Sequence, residues 1–85
     1  MSFAPTSITM ADAGQALRDG LAVIALGDAV IDLSRLNRFD SSAVSAVLAW
    51  KRAALARGAR LRISGVPDGL LSLAQLYGLQ DFVSS

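Results

Sequence analysis

Hydrophobic and polar positions along this chain follow two periods, one typical of helices and one typical of strands. Apolar residues recur at helical spacing in three stretches, at residues 13–24, 44–55 and 70–77. Residues 29–33 form an almost continuous apolar run, and residues 60–64 alternate between charged and apolar, as strands do. With a short strand at the N-terminus the order is β-α-β-α-β-α. This order predicts one α/β domain over residues 1–85, a small, mostly parallel sheet flanked by helices.

The first elements are predicted from turn and capping residues. Residues 2–4 are expected to form an edge strand, because Pro5 is tolerated at the edge of a sheet. Thr9 followed by Asp12 resembles a capping box, with Asp in place of the usual Glu. The first helix is therefore expected to begin near Met10.

The end of the first helix is open to two interpretations. Gly20 lies inside the periodic stretch and should weaken a helix by about 1 kcal/mol relative to alanine. Gly27 is a suitable C-cap for a single long helix. Residues 21–26 would also suit a strand. We favour one helix, and the alternative makes residues 21–26 a separate strand.

The second helix has the clearest boundaries. Residues 40–42 are three consecutive N-cap formers, and they follow a polar loop predicted at 34–39. A long helix is predicted over residues 42–57. Gly58 follows it at the position where a left-handed residue ends many helices.

The C-terminal part is predicted to hold one more helix. Residues 65–68 form a turn, and Pro67 stands where a helix begins. The apolar pattern then predicts a helix over 70–77 that ends at Gly78. Residues 80–83 are predicted to form a short tail element.

The second helix carries more apolar residues than a core stripe needs. One side holds Val44, Val47, Leu48, Ala54 and Leu55. The apolar arc is extended beyond that stripe by Ala43, Ala46, Trp50 and Ala53. This places Trp50 at the edge of the core or outside it. Either a neighbouring helix covers this extension of the arc, or the extension is a docking surface with Trp50 as its anchor. Lys51 falls on the core side, where its stem should pack while its ammonium group reaches water.

The composition argues against catalysis and nucleic-acid binding. The 85 residues include neither cysteine nor histidine, which removes thiol chemistry, the commonest metal ligands and the usual general base. The formal net charge is +1 and no block is strongly basic, so nucleic acid is not an expected partner. We expect a protein that is not an enzyme and has no catalytic residue, cofactor or metal.

The distribution of apolar residues bears on location and association. The most apolar run, residues 21–26, is far shorter than the roughly 20 residues of a spanning helix. The N-terminus lacks the pattern of a secretory signal. A cytoplasmic protein without direct membrane insertion is expected. Hydrophobic residues make up 53% of the chain, so apolar surface could be reserved for a partner, or could drive homo-oligomerisation of the isolated chain.

The most informative candidate site is the sequence Arg38-Phe39-Asp40-Ser41-Ser42-Ala43. It lies where a loop after a buried strand meets the start of a helix, and partner sites of α/β sheets collect there. A helix N-terminus also attracts negative charge. The sequence alone allows a simple helix cap, a partner contact or a phosphorylated serine. Tyr77 could pack with a wet hydroxyl group or contact a partner at the rim.

Four short segments resemble a known family. Val30-Ile31-Asp32-Leu33-Ser34 and Phe39-Asp40-Ser41-Ser42-Ala43 resemble the signature of STAS domains, found in anti-sigma factor antagonists and sulfate transporters. Gly65-Val66-Pro67 and Leu73-Ala74-Gln75-Leu76-Tyr77-Gly78-Leu79 resemble the MlaB-like branch. The resemblance covers about residues 29–83. The chain departs from typical STAS domains in its shortened N-terminal strand region and in Ala43, where glycine is common.

The resemblance implies a function and a partner. MlaB-like domains bind the cytoplasmic ATPase (MlaF-like) of an ABC transporter for phospholipids, in a complex with permease and substrate-binding subunits, and support its assembly and activity. This system maintains outer-membrane lipid asymmetry, so the chain would lie peripheral to the inner membrane through its partner. The important hydroxyl group of the family corresponds to Ser41. The alternative is an anti-sigma factor antagonist, whose phosphorylated serine corresponds to Ser42.

The predicted partner-binding surface combines the resemblance with the apolar arc. Its residues are Arg38, Asp40, Ser41, Ser42, Ala43, Ala46, Trp50 and Tyr77. Ser42 and Ser41 are the candidate phosphorylation sites.

Overall fold

A computed structural model describes residues 2–79. It contains five short strands and three helices within that range. The strands are β1 (Ser2–Phe3), β2 (Ser7–Ile8), β3 (Ala29–Asp32), β4 (Arg38–Phe39) and β5 (Leu61–Ser64). The helices are α1 (Ala13–Ala25), α2 (Ser41–Arg57) and α3 (Asp68–Leu76). The tail element predicted at 80–83 lies outside the described residues.

The main sheet has three parallel strands in the order β1-β3-β5. This confirms the predicted α/β class and the parallel sheet. Ala29 and Ile31 on β3 are buried in the core, whereas Val30 between them is 37% exposed. The apolar run at 29–33 predicted a buried strand. That expectation is wrong at Val30, because side chains alternate along a strand and Val30 lies on the face opposite to the buried Ala29 and Ile31.

A second, two-stranded parallel ribbon was not predicted. Ser7 pairs with Arg38, and Ile8 pairs with Phe39. The loop predicted at 34–39 therefore contains the strand β4 at its end. Two-residue strands lack a detectable period, and this pairing is formed with a segment some thirty residues away. Ile8 is fully buried, so the ribbon closes the core beside α1.

Helix α1 is continuous to Ala25, which confirms one helix and rules out a strand at 21–26. It begins three residues later than predicted. Asp12 does accept a hydrogen bond from the Thr9 N–H at 2.6 Å, as in a capping box. The next N–H group, that of Met10, donates instead to the side chain of Asp40. Residues 9–12 are consequently a turn that leads into the helix.

Helices α2 and α3 match their predictions closely. Helix α2 begins one residue early and ends at Arg57, and the Gly58 that caps it has a φ of 67°, the left-handed conformation expected there. Helix α3 begins at Asp68 directly after Pro67. Gly78 follows α3 with a φ of 69°, a conformation that glycine adopts without strain.

Trp50 lies at the centre of the core, so its assignment as a docking anchor is wrong. Its side chain is 0% exposed. The indole Nε1–H donates to the carbonyl oxygen of Leu17 on α1 at 3.1 Å. Its ring meets Phe3 edge to face, with centroids 6.1 Å apart. The structure shows the other interpretation, in which a neighbouring helix covers Trp50.

Helix α1 can cover Trp50 because residue 20 is a glycine. A Cβ atom built on Gly20 would overlap the indole ring of Trp50. The glycine that weakens α1 thus lets the ring pack directly on the helix backbone. Ala43 and Ala46 of the predicted partner surface are also buried, and therefore contribute packing rather than contact area.

The core stripe predicted for α2 is correct except at its end. Val44, Val47 and Ala54 are buried, whereas Leu55 is 83% exposed. Leu48 is half-buried. Helix α2 lies between α1 and α3, and those two helices cover its sides but leave an outward face open. That face carries the candidate site.

Candidate functional site

The start of α2 is held by Asp40, which contacts two separate parts of the chain. One carboxylate oxygen accepts from the Ser42 N–H at 2.8 Å and caps the helix. The other accepts from the Met10 N–H at 2.9 Å, in the turn before α1. Asp40 therefore fixes the position of the α1 turn relative to the first turn of α2. This role is structural, and it accounts for the cap expected from the sequence.

These contacts also fix the charge of Asp40. The hydrogen bond from the Met10 N–H, followed by those from Ser42, holds the pKa of the Asp40 carboxyl below its ordinary value. Both bonds favour the ionised form because N–H groups donate to a carboxylate. The side chain is consequently negative at neutral pH. Arg38, the other charged residue of the candidate sequence, is exposed on β4.

We predict that Asp40 makes the fold sensitive to acid. Because its pKa is lower in the folded state, its stabilising effect is complete above the unfolded-state pKa of about 3.9. The effect is lost as the pH falls through the folded-state pKa. Urea unfolding at several pH values should therefore show less acid destabilisation for Asp40→Asn than for the wild-type chain.

Asp40→Ala is the control for this substitution at neutral pH. Asp40→Asn retains an oxygen that accepts a hydrogen bond, whereas Asp40→Ala removes the acceptor. At pH 7 the alanine variant should be the less stable of the two. Equal acid sensitivity of the wild-type chain and Asp40→Asn would show that the two hydrogen bonds of Asp40 do not govern its ionisation.

A groove opens beside the first turns of α2. Its volume is about 490 Å³. The described residues that line it are Ser41, Ser42, Val44, Ser45, Leu48, Tyr77 and Leu79. These side chains are either apolar or hydroxyl-bearing, and Ser41 and Tyr77 are exposed. Such a lining offers neutral hydrogen-bond donors and acceptors beside an apolar floor, which suits a protein surface.

The structure brings together three of the predicted partner residues. Ser41, Ser42 and Tyr77 line the same groove, although Tyr77 is far from the serines in the sequence. The groove lining does not include Arg38 or Asp40. Ser41 is exposed and Ser42 is half-buried. Phosphorylation of either serine stays a prediction.

Two residues that line this groove, Ser45 and Leu48, were not among the predicted partner residues. Ser45 lies one helical turn after Ser41, and the spacing of four residues in the sequence predicts that both serines share one face of the helix. Leu48 was assigned to the core stripe but also borders the groove. Met10 does not line the groove, but it is 82% exposed in the turn before α1, whose position is set by the hydrogen bond from the Met10 N–H to Asp40. Its position depends on a contact between residues thirty positions apart, so no local pattern could have shown it.

The described residues offer little for other kinds of site. Within residues 2–79, no three acidic side chains gather in a way that could hold a metal ion. In that same part of the chain, no helix has the length and apolar character needed to cross a bilayer.

Comparison with protein families gives one match. The family described as "Mlab, STAS domain" matches residues 6–84, which is nearly the whole sequence. A comparison with curated proteins gives no match. The family match includes both signature segments and every residue that lines the groove.

Proposed function

Because the chain belongs to the MlaB-like family of STAS domains, we propose that it is a subunit that binds the ATPase of a phospholipid-transporting ABC complex. STAS domains are generally non-catalytic binding modules. The proposed role is therefore to support the assembly and activity of the ATPase. The chain would then act on the cytoplasmic side of the membrane, held there by its partner in a complex with permease and substrate-binding subunits.

The groove at the start of α2 is the observation that carries this proposal. Two serine side chains, Ser41 and Ser45, are exposed there on successive turns of one helix. Small side chains allow a partner to approach the helix closely. The hydroxyl groups of both serines and of Tyr77 then offer hydrogen bonds at the rim. Asp40 keeps the first turn fixed, so little ordering of the backbone is needed on binding.

We predict that Ser41→Lys weakens binding to the purified ATPase subunit at least tenfold. The substitution places a long charged side chain in a neutral groove, where a docked partner would have to desolvate it. Isothermal titration calorimetry would measure the dissociation constant. The variant should fold normally, because Ser41 is exposed and the cap is made by Asp40.

Ser72→Lys is the matched control for this measurement. Ser72 is an exposed helical serine on α3 that does not line the groove. The control introduces the same charge and should bind the ATPase with the wild-type affinity. If Ser41→Lys also binds with that affinity, the groove is not the contact surface. If the wild-type chain does not bind the ATPase, the proposed function itself is wrong.

A further inference from the structure

An apolar trough continues from the groove along the outward face of α2. Its volume is about 200 Å³. The described residues that line it are Leu48, Lys51, Arg52, Leu55 and Leu79. Leu48 and Leu79 also line the groove beside Ser41. The two features therefore form one continuous surface that runs for most of the length of α2.

The floor of the trough is apolar surface that the described chain leaves open. Leu55 is 83% exposed, although its neighbour Ala54 is almost fully buried. Leu48 and Leu55 are seven residues apart, which is about two helical turns or roughly 10 Å along the axis. Two leucines at this spacing on one face are typical of a helix that packs against another element.

The rim of the trough is cationic. Lys51 is half-buried, and burial lowers the pKa of its ammonium group. The cause is burial, which removes part of the water that stabilises the charged ammonium group. Arg52 is exposed beside it. The sequence of α2 contains three basic residues and no acidic one.

We propose that the trough binds an amphipathic segment of the ATPase in which apolar side chains are flanked by aspartate or glutamate. This inference rests on the proposed function and specifies the chemistry of the partner. Apolar side chains of the segment would cover Leu48 and Leu55, while its carboxylates would pair with Lys51 and Arg52. A neutral or basic segment would bury Lys51 further without any compensating charge, which is unfavourable.

The test compares two charge reversals in the full chain. Arg52→Glu changes the rim of the trough, whereas Arg62→Glu changes an exposed arginine on β5 of the sheet. Both variants alter the net charge equally. At low salt, Arg52→Glu should weaken binding to the purified ATPase at least tenfold, and Arg62→Glu should change it less than twofold. Raising the salt concentration should reduce the difference, because mobile ions screen exposed charges.

A neutral substitution separates the apolar contribution from the charge. Leu55→Ser should weaken ATPase binding at every salt concentration to a similar degree. It should leave the unfolding midpoint of the isolated chain unchanged, because Leu55 is exposed in the structure.

Three outcomes would overturn the proposal. If the wild-type chain binds the ATPase and Arg52→Glu behaves like Arg62→Glu, the trough does not take an acidic segment, while the proposed function stands. If Leu55→Ser clearly destabilises the isolated chain, the trough is covered by the chain itself. If the wild-type chain fails to bind the ATPase, the proposed function and this inference both fall.

Discussion

Replacing Trp50 by alanine is expected to lower the free energy of unfolding by about 3–5 kcal/mol, the usual cost of removing a large buried aromatic side chain. Trp50 is the largest fully buried side chain of the described residues. It joins three elements, because it lies on α2, packs against Phe3 of β1 and donates to a carbonyl group of α1. A cavity at this position would therefore weaken the packing of these three elements on one another.

The expected loss is large for a chain of 85 residues. Domains of this class have a total stability of about 5–15 kcal/mol, so the variant could unfold at moderate temperature. Urea denaturation followed by circular dichroism would measure the effect without relying on the removed fluorophore. Leu55→Ala is the matched control on the same helix. It should change the stability by less than about 0.5 kcal/mol, because Leu55 is exposed.

This prediction also separates the two interpretations of Trp50. A surface anchor would lose partner binding on substitution while the isolated chain stayed stable. Substitution of a core residue should lower the stability of the isolated chain and weaken partner binding together, because binding requires the folded chain. Wild-type stability of Trp50→Ala combined with weak ATPase binding would contradict the structure and restore the docking role.

The second large effect is expected from Gly20→Ala, and its sign should depend on Trp50. In the wild-type background the added methyl group overlaps the indole ring. Such overpacking costs about 1–3 kcal/mol, which exceeds the gain of up to about 1 kcal/mol in helix propensity. In the Trp50→Ala background the clash is absent. The same substitution should then stabilise the chain.

A double-mutant cycle measures this reversal. The four proteins are the wild-type chain, each single variant and the double variant, all unfolded in urea under the same conditions. Gly14→Ala is the matched control, because Gly14 lies on α1 and an added Cβ would meet only the Arg18 side chain at 3.6 Å. It should stabilise the chain in both backgrounds. A Gly20→Ala effect that is equal in both backgrounds would show that the ring does not pack on Gly20.

The features that the sequence predicts correctly are those with local causes. The ends of α2 follow from a cap at Asp40 and a left-handed glycine at Gly58, both of which act within one turn of the helix. The parallel sheet follows from alternating strand and helix periods. The STAS signature at residues 39–43 also marks the start of α2, whereas the assignment of partner-binding residues there stays a prediction.

The features that the sequence misses depend on contacts between distant segments. The ribbon of β2 and β4 joins residues about thirty positions apart, and the same separation links Met10 to Asp40. Neither of the paired segments carries a local sequence pattern that predicts the pairing. The pairing has no periodic signal and becomes visible only when both segments are placed on the fold.

Local sequence patterns are sufficient to predict the α/β class, helix α2 and the capped start of that helix. The side of α2 that is covered depends instead on its packing against α1 and α3. Apolar residues surround most of the circumference of α2, so its periodicity does not select one orientation. The selection is made by α1, where Gly20 leaves the space that Trp50 occupies. Burial of Trp50 on that side turns Ser41, Ser45 and Leu55 outward, and these residues form the surface available to a partner.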